Sequence, residues 1–486
     1  MISFLLCFLV NSTIYPQNAL WDHYTVIPPL GTVKSIASSN LHVYAISGDY
    51  LLFINKQNFT FEKSVYFSCE PYLVGYDQYT NDIWVVCRDT LVRFTTTTYS
   101  LRKFPFTHLV HRFAIDASNL YVETMASGGK YRINKATGAI SSVNVFPENL
   151  FWYKTTTDSD IRKYPFLSPY YYFDDPDRSQ RPTQQYPITA IHEDGMYLYV
   201  GTDRYGILRY HTISWQSQRI VHGPLDGFLK RVRRDGEKIY FLSTSGISYR
   251  ERDTENWRYL RLDGRTTDFA FFNSELFVAA YDQVVRTSGA LEFPYVDVRT
   301  DILSIETDAN SMYIGTRSGS YRIFKGSKDV LHFGPDHYVI YSIYPTDDAV
   351  YVGGEFAMYK FDKETAAWST LLNFGIKKIV GISAGVYALG LNNQIIQYRP
   401  GGFDTLDIDT SWTLLPYFNI YDIDAGDDVV YCATHTGIYY YDPANIEYKV
   451  IYNLPRIRYD YIFLVDDHIF AIAGGTIYSL PVEHRD

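Results

Sequence analysis

One phrase returns along the chain: YVGTDRYGILRY from Tyr199, YFLSTSGISY from Tyr240, YIGTRSGSYRI from Tyr313 and YCATHTGIYYYD from Tyr431. A recurring unit too short to bury its own hydrophobic faces folds only by stacking on its copies, which restricts the chain to repeat architectures. Weaker copies centre on Tyr44, Trp84, Tyr121, Phe277, Tyr351, Tyr387 and Phe470, giving about eleven units of roughly forty residues. The hairpin glycines set the period. Gly206 to Gly246 is 40 residues, Gly246 to Gly319 is 73 or two steps of 36.5, and Gly319 to Gly437 is 118 or three of 39.3.

Each part of the unit has a physical reason. Tyr199 to Thr202 is apolar on both faces, which suits a strand whose sheet is sandwiched between two others. A small residue follows at Gly201, Gly315, Gly353 and Ala433, and a missing side chain there lets the adjacent sheet approach. A polar stretch then reaches a Gly able to take the positive φ of a short hairpin. Acidic or Asn/Gly turns precede the aromatic strand, as in HEDGM from His192 and TDDAV from Thr346. Trp- or Tyr-led segments at Trp215, Trp257, Trp368, Trp412 and Tyr448 read as the fourth strand. The 46 Tyr and 30 Phe favour pleated, half-buried strands over helices.

Repeated four-stranded antiparallel units with two apolar faces are covered without long exposed edges by radial stacking. The sequence therefore predicts an all-β fold, a β-propeller of about eleven four-stranded blades. The last unit stops at Tyr478 to Val482, after its third strand, and Trp21 to Val26 is a strand ahead of the first unit. The N-terminal strand is thus expected to close the last blade. The interruption at 147–187 divides weak units from strong ones, which predicts two rings. One is seven-bladed over 188–455; the smaller is built from 21–146 and completed by 456–486. A single large ring is the alternative.

Met1 to Leu20 carries no charge, and Phe4 to Val10 is an apolar run too short to span a bilayer, so 1–20 reads as a signal peptide. The expected location is secreted or periplasmic, with no membrane span. Cys69, Cys87 and Cys432 would remain after cleavage; a Cys69–Cys87 bridge is possible, but small buried thiols are the favoured reading. A net charge of −10 works against a nucleic-acid partner.

The phrases at Tyr199, Tyr313 and Tyr431 resemble the two-component regulator propeller repeat: aromatic, aliphatic, Gly, Thr, two variable residues, Gly, aliphatic, then a Tyr- or Phe-containing strand. The likeness runs over nearly all of 21–486. Such repeats form extracytoplasmic sensor regions of hybrid histidine kinases, where paired propellers are thought to perceive a ligand, often a glycan fragment. The resemblance implies fold and compartment; this sequence shows no kinase module, transmembrane helix or DNA-binding tail, and the repeat carries no catalytic residues to transfer.

No nucleophile elbow, zinc-protease motif, Walker loop or paired C-x-x-C is present. His108 and His111, three apart in a strand context, fall on opposite faces, and DIDAGDD from Asp422 lacks the distal Glu of a calcium loop. No catalytic residue, metal or cofactor is assigned, and an enzyme is the less favoured class. Ligand-binding candidates come from topology. Hairpins between second and third strands share an end with the connections between sheets, which gathers Asp203, Arg204, Tyr205, Arg317 and His435 on that end. The interruption at 147–187 adds Tyr170, Tyr171, Tyr172, Asp174, Asp175 and Arg178, stacking faces beside charges. The expected function is an exported binding or sensing scaffold for a protein, peptide or glycan, its oligomeric state unassigned. The alternatives are an extracellular polysaccharide hydrolase or lyase and a structural surface-assembly protein.

Overall fold

The computed structural model describes residues 24–485 except 126–127, 168–169, 175–182, 253, 263–265, 289–290, 335–337, 400–401, 407–418 and 427. Among the described residues the strands form eleven antiparallel sheets, nine of four strands and two of five. The chain is all-β apart from a four-residue helix at Asp158–Ile161 and a short 3-10 turn at Val482–His484. Numbered in chain order by their inner, first strands, sheets 1 to 4 begin with Val33–Ser38, Leu73–Asp77, Val110–Ile115 and Thr183–Asp194. Sheets 5 to 11 begin with Leu229–Asp235, Thr266–Phe272, Ile302–Thr307, Ile340–Pro345, Ile376–Ile382, Ile420–Gly426 and Tyr461–Val465.

The last sheet is completed from the other end of the chain. Thr25, Val26 and Ile27 pair with Ser479, Tyr478 and Ile477, so the N-terminal strand supplies the fourth strand of sheet 11 as the repeat count requires. The inner strands pack in cyclic order, each of sheets 5 to 11 against the next and sheet 11 back on sheet 5. Separately, the inner strand of sheet 4 packs on sheet 1, sheet 1 on sheet 2, and sheet 2 on the Trp152–Lys154 strand added to the edge of sheet 3. Two segments running side by side connect these groups: Leu30 N donates to Pro224 O at 2.7 Å, and Gly223, at φ +64, would place a Cβ 1.7 Å from Pro28 O. Only glycine fits there.

A shared device sets how sheets meet. In nine of the eleven inner strands, among them those of sheets 5 to 10, one extra residue bulges after the first residue paired with the second strand, whose side chain is buried. In four of these strands the residue after the bulge accepts a backbone amide of the next sheet. Asp268 accepts the amide of Ile305 at 3.0 Å, Ser342 that of Ile379 at 3.0 Å, Asp422 that of Ile462 at 3.1 Å and Ser35 that of Val74 at 3.1 Å. At several joints the aliphatic residue before the bulge sits over a glycine of a neighbouring second strand. A Cβ on Gly201 would lie 2.4 Å from Val33 Cγ1, and one on Gly353 2.8 Å from Ile376 Cγ2. The gap expected from sequence at these positions is filled by the neighbouring sheet.

Three expectations need correction. The fourth strand of sheet 9 is Gly402–Leu406; Trp412, expected to lead it, lies outside the described residues. The interruption at 147–187 is not a plain loop, because Trp152–Lys154 pairs with Arg112–Ala114 and Ile161 and Leu167 are buried against Leu198 and Tyr210. Cys69 and Cys87, read as buried thiols, are joined in a disulfide with Cα atoms 5.5 Å apart. The turn between second and third strands of sheet 2 holds the link into that sheet, Arg88 N donating to Cys69 O at 3.4 Å, a tertiary contact that spacing does not reveal.

Two outcomes follow from this packing. Gly201→Ala lowers stability by about 1–3 kcal/mol, because the Val33 side chain must shift; urea unfolding of the variant against wild type measures it. In denaturant without reductant Cys432 is alkylated, whereas Cys69 and Cys87 are alkylated only after reduction, as mass spectrometry of the peptides reports.

Candidate functional site

The inner strands of sheets 5 to 11 enclose a cavity of about 490 Å³, with lining residues from every one of the seven. A strand exposes every second side chain to one side. Beyond the bulge this brings Arg231, Arg233, Glu306, Tyr344, Lys378 and Asp424 to the cavity wall. Gly381 leaves room for the Tyr344 ring, whose hydroxyl would lie 2.5 Å from a Cβ there.

Charges on this wall are paired across sheets. Arg233 grips Glu306 with both terminal nitrogens, at 2.9 and 2.7 Å, and also donates to Ile305 O at 3.2 Å. Arg231 bonds the same carboxylate and lies 3.8 Å from Asp268. Burial would raise the Glu306 carboxyl, but the two guanidiniums outweigh it and hold the group below its ordinary range. Across the cavity Lys378 contacts both oxygens of Asp422 at 3.0 and 3.2 Å. Asp424 accepts the Leu464 amide at 2.9 Å, yet burial still pushes its carboxyl above the ordinary range. Arg234 and Asp466, 2.6 Å apart, stand at the mouth. Paired ions with spare lone pairs and protons can take a polar ligand by exchanging hydrogen bonds.

A second cavity, about 510 Å³, lies between the N-terminal strand and the outer strand of sheet 1, lined by Tyr24, Pro28, Phe61, Tyr66 and Tyr478. Its polar groups are engaged elsewhere: Glu62 with His42 and Asn55, Glu255 with Arg250 and Trp257.

Among the described residues no group of three or more His, Cys, Asp and Glu is placed to hold a metal. Ser38, His192 and Asp194 converge between sheets 1 and 4, but the Ser38 hydroxyl donates to Asp194 at 2.5 Å while His192 Nε2 lies 2.9 Å from the same oxygen. A nucleophile activated by histidine would instead direct its proton to the ring, with the acid on the far nitrogen.

The sequence-predicted binding residues fall into separate places. Tyr170, Tyr171, Tyr172 and Asp174 lie on a strand, Tyr170–Asp174, paired with Pro187 back to Thr183; Asp175 and Arg178 lie outside the described residues. Asp203 is brought beside this strand's root, its amide donating to Pro187 O at 3.0 Å, while its carboxylate accepts from Thr32 at 2.5 Å. Arg204 pairs with Asp203 at 3.4 Å. The Tyr205 ring is 5% exposed, stacked on Tyr186 at 4.4 Å under Arg219, which leaves little of it to a ligand. Arg317 pairs with Asp301 at 2.9 Å on sheet 7, and His435 sits on the corresponding hairpin of sheet 10, its Nδ1 buried without a hydrogen bond. These hairpins do sit against the connections between sheets: Arg317 N donates to Asp301 O, Glu355 N to Val339 O and Leu391 N to Gly375 O. Sequence reasoning missed the cavity charges; Arg231 and Arg233, alternating in KRVRRD, were the available signal.

No protein-family model matches the chain, and no curated protein matches it. Among solved structures, the chain is similar to the extracellular domain of a B. thetaiotaomicron protein, BT4673, assigned to a one component system. The identity is 13%, over 92% of this chain and 75% of that one, with a TM-score of 0.46. It is similar also to BamB from Moraxella catarrhalis, at 12% identity over 60% and 95% with a TM-score of 0.41. A third is PorZ, a surface component of the type-IX secretion system of Porphyromonas gingivalis, at 10% over 92% and 79% with a TM-score of 0.34. Similarity at this level carries nothing about ligand or partner.

Two buried histidines give the packing a pH dependence. Burial lowers His192 and His222 to about 4, and His222 lies at the crossing between groups, 3.2 Å from Ser47 Oγ and against Phe61. The folded values lie below the unfolded value near 6.5, so the unfolded chain binds protons first. Their contribution is complete above about pH 6.5 and is lost as pH falls towards 4, up to about 3 kcal/mol for each. Thermal unfolding at pH 7.5, 6.0 and 4.5 checks this; His222→Gln is expected to flatten the decline.

Proposed function

We propose that the protein is an exported, non-catalytic recognition scaffold whose eleven sheets close as two rings. Sheets 5 to 11, with the N-terminal strand, form a seven-bladed propeller, and sheets 1 to 4 form a smaller ring. The return of sheet 11 onto sheet 5 supports this reading over a single large ring. The boundary then falls between Ile220 and Leu229, one sheet later than the sequence suggested, and residues 456–486 go with the large ring. The small ring becomes an insertion in one ordinary connection of the large one, from the fourth strand of sheet 11 to the first of sheet 5. Export is supported by the Cys69–Cys87 disulfide, which belongs to an oxidising compartment.

The observation that carries the recognition function is the cavity walled by all seven inner strands, rich in paired charges and open at the Arg234–Asp466 mouth. Such a site suits a charged peptide or glycan that can trade contacts with Arg231, Arg233 and Asp424. The Tyr170–Asp174 strand and the Asp203–Arg204 hairpin, joined through Pro187, form a second contact region on the small ring. An array of charged peptides and oligosaccharides is expected to give a ligand whose affinity falls at least about tenfold in Arg234→Ala. Unchanged affinity in that variant, with loss on deleting 175–182, would move the site to the small ring; no ligand for either version would remove the function.

A further inference from the structure

Each inner strand of sheets 5 to 11 sets one residue directly opposite the recurring aromatic of its second strand, which gives the cavity wall a level common to the seven sheets. At that level stand Arg233 opposite Tyr240, Glu306 opposite Tyr313, Tyr344 opposite Tyr351, Val380 opposite Tyr387, Asp424 opposite Tyr431 and Phe463 opposite Phe470. All six line the cavity. Sheet 6 places Ala270 there, opposite Phe277, and a side chain that small lets Arg233 reach past it to Glu306.

One carboxylate of this wall has no cation of its own. Arg231 and Arg233 share Glu306 and Asp268, Lys378 holds Asp422, and Arg234 holds Asp466. These pairings account for the four cations that line the cavity. Asp424 is left over. Its two oxygens accept the backbone amides of Ala425 and Leu464, both at 2.9 Å, and no cation among the described residues forms an ion pair with it. A carboxylate oxygen accepts about two hydrogen bonds, so one position on each stays open. Burial penalises this charge and pushes the carboxyl above its ordinary range, whereas the doubly gripped Glu306 is held below its own. A wall on which every cation is matched and one carboxylate is not favours a positive guest over a negative one.

The surroundings set the form of that guest. Val380 and Phe463, on the two adjoining sheets, flank Asp424 with apolar surface, and Ala425 and Leu464 add more, which suits a methylene stem behind the charge. The mouth pair lies one residue past the common level on sheet 5, at Arg234, and three past it on sheet 11, at Asp466. Asp424 is therefore roughly 3–10 Å inside the mouth, within reach of a stem of several methylene groups.

We infer that the cavity recognises a primary ammonium carried on an unbranched aliphatic stem, the ammonium donating to the open positions of Asp424 and the stem lying between Val380 and Phe463. This rests on the cavity being the recognition site. A lysine side chain and a free diamine share that chemistry. The paired ions then hold the wall in shape, and Asp424 selects what enters it.

The test is calorimetric titration of the full chain with Nα-acetyl-lysine amide against its Nε-acetylated form, and with cadaverine against pentanediol. The expected result is that at least one amine binds roughly tenfold more tightly than its uncharged counterpart and weakens with salt. Asp424→Asn removes that preference, and the pair showing it identifies the carrier. Equal affinity for amine and uncharged form, absence of binding by both amines, or a preference that survives in Asp424→Asn with an unchanged melting curve would overturn the inference. Where that variant does not fold, carbodiimide coupling of cadaverine to the wild-type chain decides: an amide found at Asp424 by peptide mass spectrometry upholds the site, and modification of other carboxylates alone overturns it. A ligand that carries no amine and is lost on Arg234→Ala overturns this inference while leaving the recognition function in place; absence of any ligand, charged or not, removes both.

Discussion

Everything in this protein rests on how the face of one sheet meets the face of the next. A sheet of four short strands buries too little by itself, and its stability comes from covering both apolar faces. At the joints built on Gly201, Gly315 and Gly353 the contact is made by an aliphatic residue at the head of the inner strand, seated where the neighbouring second strand has lost its side chain. A polar side chain one bulge later holds the next backbone amide, a hydrogen bond that fixes register as well as spacing. Val33 over Gly201 and Ile376 over Gly353 are two instances of one joint, and Asp268, Ser342 and Asp422 are three instances of its clip.

The same strands supply the chemistry. Charges at the cavity-facing positions of the inner strands are partly buried, which is tolerable only when each ion is paired and hydrogen-bonded. Glu306 held by two arginines and Asp422 held by a lysine and an amide meet that condition. Asp424, with amide donors and a raised carboxyl, meets it least, which marks that side of the cavity as the one with most to gain from a ligand.

Much of the fold was legible because the repeat writes its signals locally. The Tyr-led strand, the small residue after it, the hairpin glycine and the missing fourth strand at the C-terminus each lie within a few residues, and Thr25–Ile27 pairs where that count required. What could not be read depends on contacts between distant segments. The Cys69–Cys87 bond needs the turn that brings residue 88 against residue 69, and the burial of Tyr205 needs Tyr186 and Arg219 above and below it. The cavity charges were hidden for another reason. KRVRRD is charged at all but one position and DIDAGDD alternates Asp with apolar residues only over its first four, patterns shared by solvent-facing strands and surface turns, and only the packing of seven inner strands about the cavity turns those positions inward.

The pairing of Thr25–Ile27 with Ile477–Ser479 has a consequence for how the molecule comes into being. Ile27 and its partner Ile477 lie 450 residues apart along the chain, so sheet 11 cannot shut until every other sheet has been made. Loop closure over such a span is slow relative to local hairpin formation. Assembly can run sheet by sheet from either neighbour, yet the seam stays unzipped until both of its distant strands are present, so the last joint to form is the one that holds the two ends of this span together.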